Sequence, residues 1–115
     1  MEQNLIDMVK LNERMEDDRE LIREVFQVFI EEVPIRRAKF DKALSEQDFP
    51  ALLMLAHSLK GASGTLQAEP LRHVSQALEL AVREDRTGDV AVLVPPVLDL
   101  LDATAAHMAE LLKTL

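Results

Sequence analysis

The sequence predicts an all-α fold: an antiparallel up-and-down four-helix bundle with additional short N-terminal helical segments packed on one end. Three observations predict it. Leu, Ala, Glu and Arg are abundant, while there are only three glycines and neither tyrosine nor tryptophan, a composition of strong helix formers. Apolar residues recur at three- and four-residue spacing through most of the chain. The breaks between these stretches are short, so consecutive helices must fold back on one another. At 115 residues, 48% of them apolar, the chain suits a single domain with one modest core rather than a disordered segment. Within that domain, 1–115, the reading assigns 1–33 to N-terminal helices and 34–115 to the bundle proper.

Residues 1–11 carry Leu5, Met8, Val9 and Leu11 at mixed spacing and read as a short helix or cap. Asp17 and Asp18 offer N-caps ahead of "RELIREVFQVFIEEV", whose predicted apolar face is Leu21, Val25, Val28 and Phe29. Pro34 interrupts that pattern. Proline is welcome only in the first turn of a helix, so a new helix is predicted there, running through Ile35, Ala38, Phe40 and Leu44 to about Ser45. Asp48, just ahead of Pro50, starts a central helix over about 49–66. "QAEP" ends it, and a helix restarting near Glu69 carries Leu71, Val74, Leu78 and Val82. "EDRTGD" is the next break, with Gly88 as the predicted stop and Asp89 as the next cap. The last helix has Val94, Leu98, Leu101, Met108 and Leu112 on one side. Pro95 and Pro96 within its pattern require it to start or to kink there.

Composition also excludes function classes. A net charge of −8 argues against nucleic acid as partner, because a phosphate backbone attracts basic faces. The absence of cysteine excludes disulfides, thiolate metal sites and a cysteine nucleophile, and fits a reducing compartment. The N-terminus lacks the basic and apolar regions of a secretory signal. No apolar stretch is read as approaching the roughly 20 residues of a membrane span. A cytoplasmic monomer with no membrane partner is the resulting expectation.

One stretch of the central helix, "HSLKGASG" at 57–64, departs from core packing. On a wheel of about 100° per residue with His57 at zero, Leu52, Leu55, Leu59, Ala62 and Leu66 fall within about 40° of the opposite side. His57, Lys60, Gly61 and Gly64 all lie within about 60° of zero. The leucine side belongs to the core, so the imidazole is predicted to face outward on a strip bared by two glycines. An exposed imidazole is a nucleophile near neutral pH, an adjacent lysine stabilises a phosphoryl group, and glycine admits another molecule closely. Glu79 stands as far after a turn at Ala68 as His57 stands before it, so a hairpin sets the two level. A carboxylate there can accept from Nδ1–H and leave Nε2 free. Leu53 and Met54, on the same flank, are candidate docking residues. His73 and His107 read as surface residues, and no metal site is apparent.

"AHSLKGASGTLQA" followed by "LRHVSQALELAVREDRTGD" resembles the histidine phosphotransfer (HPt) domain of two-component phosphorelays. That family carries His-x-Leu-Lys-Gly-Ser/Ala-Ser/Ala, then a Leu-Glu pair downstream, and "DRELIREVFQVFIEEVP" is similar to its N-terminal helices. The resemblance implies that His57 accepts a phosphoryl group from a receiver-domain aspartate or a kinase and passes it on. It implies that Lys60 assists the phosphoryl group, Gly61 clears the docking surface and Glu79 partners the histidine. It implies a carrier without kinase activity, with response-regulator receivers and a sensor histidine kinase as partners. No cofactor is implied for this chain, Mg²⁺ being expected on the receiver only. Gln67 stands where the family often has glycine. Gly64–Thr65 resembles the phosphotransfer domain of chemotaxis-type kinases, which keeps two alternatives open: a domain cut from a kinase, and a receiver-binding adaptor that takes no phosphate.

Overall fold

The computed structural model describes residues 4–115. They form five α-helices, and no strand occurs among the described residues: α1 (Met8–Arg14), α2 (Arg19–Ser45), α3 (Phe49–Thr65), α4 (Glu69–Arg83) and α5 (Thr87–Leu112). Aspartates fix three of the starts. The carboxylates of Asp7, Asp18 and Asp48 accept from the backbone N–H of Lys10, Leu21 and Ala51 at 3.0–3.1 Å, which satisfies a first-turn donor that has no partner within the helix.

The turns after α2, α3 and α4 share one closure. Gln47, Gln67 and Asp85 adopt left-handed backbone with φ of 53°, 57° and 54°. The N–H of the next residue then returns to a carbonyl of the last helical turn: Asp48 to Ala43, Ala68 to Ser63 and Arg86 to Ala81, at 2.8–2.9 Å. Such tight reversals make neighbours antiparallel. α2 packs on α3 and α5, and α4 packs on the same two, so four helices close a ring 41 Å long and 25 Å across. Its axis is filled by fully buried Phe26, Phe40, Leu52, Leu59, Leu71, Leu78, Val94 and Leu101. The segment around α1 covers one end. Leu11 and Ile6 are buried in the core, and the Asp7 N–H donates to the Gln67 carbonyl at 3.0 Å.

Three sequence expectations need correction. First, α2 does not break at Pro34 but runs through it for 27 residues. The ring is exposed and the loss is one N–H bond to the Ile30 carbonyl, while Phe29 and Val33 before it and Phe40 and Ala43 after it are buried along the same helix. Residues 19–33 are therefore the first half of the bundle's own helix, and no structural boundary lies between 33 and 34. Second, the core face of α2 is Ile22, Phe26, Phe29 and Val33; of the predicted face, Leu21 and Val28 are exposed. This helix carries two apolar stripes, and only one meets its neighbours. Third, α5 starts at Thr87, so Gly88 and Asp89 are its first turn rather than a stop and a cap, and Pro95 and Pro96 lie on its solvent side. By length and hydropathy α5 is also apolar enough to cross a membrane, against expectation. Its Val90, Val94, Val97, Leu98 and Leu101 face inward as the fourth wall of the bundle, while Asp99 and Asp102 are exposed.

Candidate functional site

His57 sits at the middle of α3, and its side chain is 63% exposed. Leu52, Ala56, Leu59 and Ser63 take the buried face and turn the imidazole outward; of the predicted leucine side, Leu55 and Ala62 are only half-buried, so the core face is rotated towards Ala56 and Ser63. α4 supplies its partner. Glu79 Oε2 lies 2.7 Å from His57 Nδ1, and Glu79 Oε1 lies 2.6 Å from Lys60 Nζ. Arg83, one turn further along α4, donates from Nη2 to Glu79 Oε2 at 2.9 Å. The hairpin thus sets Glu79 level with His57, as the equal spacing about Ala68 predicts.

Glu79 is buried, at 3% exposure. A buried carboxylate is tolerable because its oxygens accept from three donors. The Lys60 hydrogen bond is the largest influence on its acidity. Together with the bonds from Arg83 and His57 it overcomes the opposing effect of burial and holds the carboxyl at about 2, against an ordinary 4.5. The group is therefore an anion near neutral pH and can only accept hydrogen bonds. Nδ1 must carry the proton, and a neutral His57 presents its lone pair at Nε2. The tautomer follows from the acidity of its neighbour.

A stability prediction follows with a definite sign. The folded-state pKa is depressed, so the contribution is complete above the ordinary value near 4.5 and disappears as pH falls towards about 2. Lys60 and Arg83 are 30% and 54% exposed, and water screens their attraction to the carboxylate. The effect is therefore expected to be about 1–2 kcal/mol. Urea melts of the parent and of Glu79→Gln should differ by that amount at pH 6 and converge by pH 2. Parallel curves across that range would contradict this account.

The two glycines of the strip prove different. Both have ordinary right-handed helical backbone, so neither is needed for conformation. A Cβ on Gly64 would stand 3.3 Å from the Arg72 side chain, so Gly64 makes room for α4. A Cβ on Gly61 would meet nothing within 4 Å. Gly61 instead borders a groove of about 240 Å³ between α2 and α3, walled by Val25, Val28, Phe29 and Thr65. Met54 is exposed at 74%, whereas Leu53 is half-buried and packs partly on the core.

Sequence reasoning missed the contribution of α2. Arg36 donates to Ser58 beside His57 at 3.4 Å, and Leu21, Val28 and Ile35 leave an exposed apolar stripe on α2. Their seven-residue spacing was the signal, and it was absorbed into the predicted core face. Arg72 binds Glu69 and Gln76. His73 is exposed and lines a separate cleft of about 430 Å³ with Asn4 and Leu100. Among the described residues no cluster of histidine and acidic side chains is arranged to hold a metal ion.

The comparisons with known proteins bear on the family and the fold. Residues 24–113 match the model of the Hpt domain family. The fold is similar to the HPT domain of an Hpt sensor hybrid histidine kinase from Shewanella, with a TM-score of 0.85 at 20% identity, covering 96% of each chain. It is equally similar to histidine-containing phosphotransfer protein B of Pseudomonas aeruginosa PAO1, with a TM-score of 0.84 at 21% identity over 99% of each chain. Among curated protein sequences none matches this chain as a relative. With the family match spanning most of the sequence and the four-helix ring shared with solved members, the chain belongs to the Hpt domain family, the histidine phosphotransfer modules of two-component phosphorelays.

Proposed function

We propose that His57 is the phosphoacceptor of this module, taking a phosphoryl group from a receiver-domain aspartyl phosphate and returning it to another response regulator. The observation that carries the reading is an exposed imidazole whose Nδ1 lies 2.7 Å from the buried Glu79 carboxylate. In the transfer, the Nε2 lone pair attacks phosphorus and an N–P bond forms. The P–O bond to the aspartyl group breaks, and the aspartate carboxylate leaves with the bonding pair. The Nδ1 proton stays in place. The phosphorylated ring is then a cation facing Glu79, which stabilises it. One N–H of Lys60 is used on Glu79, and its ammonium keeps two further donors for the phosphoryl oxygens. The Mg²⁺ of the transfer reaction belongs to the receiver in this reading, and the chain acts as a carrier without kinase activity.

The partner docks across α2 and α3. Val28, Ile35 and Met54 are exposed apolar residues on either side of the His57 flank, with Leu53 presenting an edge. Gly61 supports this reading because the chain itself gives no reason to forgo a side chain there. Gly61→Ala should stabilise the fold by roughly 0.5–1 kcal/mol, since nothing obstructs the methyl and alanine is the better helix former. Gly61→Gln should leave folding intact yet slow transfer by about tenfold or more, through a side chain standing in the docking path. Stopped-flow transfer rates beside urea melts test both, and an unchanged rate in the glutamine variant removes the docking argument.

The direct test is to incubate the 115-residue protein with a phosphorylated receiver and follow the label. Acid-labile, base-stable phosphate appearing as the receiver loses its own is the expected result. Labelling by a kinase catalytic domain but by no receiver would favour the kinase-fragment alternative. Binding of receivers without labelling would make the chain an adaptor.

A further inference from the structure

A carboxylate that orients a nucleophilic imidazole creates a conflict. Its hydrogen bond selects the Nδ1–H tautomer, but its negative charge also favours the imidazolium, which has no lone pair at Nε2 and cannot attack. Here that charge is not left alone. Glu79 Oε2 is shared between His57 Nδ1 and Arg83 Nη2, at 2.7 and 2.9 Å, and Oε1 is held by Lys60. Two fixed cations surround one anion beside the ring. The family motif accounts for Lys60 and not for Arg83.

We propose that Arg83 is a positioning residue of the phosphoacceptor site, one that offsets the charge of Glu79 so that the carboxylate orients the His57 ring without protonating it. The proposal rests on the reading of His57 as phosphoacceptor. Arg83 is suited to the task by place and chemistry. It lies four residues after Glu79 on α4, where helical spacing brings the two side chains together. Its guanidinium stays charged throughout the working pH range. Lys60 has a second anion to serve once a phosphoryl group arrives, whereas Arg83 remains on Glu79.

Other charged groups around His57 make no hydrogen bond or ion pair with its ring among the described residues. On α2, Glu32 pairs with Arg36 at 3.3 Å, Arg36 also reaches Ser58, and Lys39 lines a second groove with Leu55 and Ser58. On α4, Arg72 is held by Glu69 and Gln76. α5 does not pack on α3. Among the described residues, Glu79 is the carboxylate that touches the ring, and Lys60 and Arg83 are the cations on it.

The test compares the 115-residue parent with Arg83→Gln and Arg83→Lys in two measurements. An NMR titration of the His57 ring protons should show Arg83→Gln protonating at higher pH than the parent, by roughly 0.5–1 pH unit, with the lysine variant close to the parent. Transfer from one phosphorylated receiver, expressed as the variant-to-parent rate ratio so that the receiver's own pH dependence cancels, should be low for Arg83→Gln by up to about three- to tenfold at the acid end of the profile. The ratio should return to unity above pH 9, where the loss of an extra proton no longer limits either protein. Arg83 is 54% exposed, so its replacement leaves the packed core in place. A ring titration unmoved in Arg83→Gln overturns the proposal, as does a rate ratio that is equally low at every pH. A shifted titration in a protein whose parent takes no label upholds the charge balance and defeats the phosphoacceptor reading instead.

Discussion

Replacing His57 with glutamine should abolish acid-labile phosphate incorporation while leaving the helical spectrum and melting temperature essentially unchanged. Glutamine has an amide where the imidazole has a basic nitrogen, so it can accept from or donate to neighbours but cannot attack phosphorus. The side chain is 63% exposed and the glutamine amide can still donate to Glu79, so stability should move by no more than about 0.5 kcal/mol. Loss of a nucleophile typically lowers rate by on the order of a thousandfold or more, beyond what a labelling assay detects. Neither remaining histidine substitutes for it. His73 lies on a separate cleft, His107 is on α5, and among the described residues neither has a hydrogen-bonded carboxylate such as Glu79 gives His57. Autoradiography after incubation with a phosphorylated receiver checks this, and residual label in the variant would place the acceptor elsewhere.

The second large effect concerns the fold. Phe26→Ala should destabilise the protein by about 3–5 kcal/mol, lowering its melting temperature by roughly 10–20 °C. Phe26 is fully buried at the centre of the helical ring, where surrounding side chains cannot collapse fully into the space left. A domain of this size is stable by about 5–15 kcal/mol, so the variant sits near the limit of folding. Val28→Ala, two residues away, should change stability by less than about 1 kcal/mol, because Val28 is 52% exposed. Paired urea melts decide the matter. Comparable losses in the two variants would show that the α2 face is wrongly assigned.

That pair of residues also marks where sequence reasoning stops. Periodicity located α3, α4 and their core residues well. Leu52, Leu59, Leu71, Leu78 and Val82 are buried as their spacing requires, because each of these helices has one dominant apolar stripe. α2 has two. Leu21, Val28 and Ile35 repeat as regularly as Ile22, Phe26, Phe29 and Val33, and a wheel cannot tell a buried stripe from one kept for a partner. Pro34 misled for a related reason, as did the option of a helix start at Pro95–Pro96. Local rules count a lost hydrogen bond, whereas the helix also counts the apolar burial on both sides of the break.

The site divides the same way. His57, Lys60 and Gly61 were legible because one helix carries them, and helical spacing alone places them on one face. Glu79 could be set level with His57 by counting across a tight turn. The burial of Glu79 and its acidity arise only where α3 and α4 meet, whereas its contact with Arg83 is a pair four residues apart within α4. By itself the sequence determined the helices of the hairpin and the outward histidine, since both depend on separations of three, four or seven residues. Only the tertiary structure decided which stripe of α2 is core and how the charge around the imidazole is balanced, because those depend on what stands opposite, and no periodicity within one helix records its neighbour.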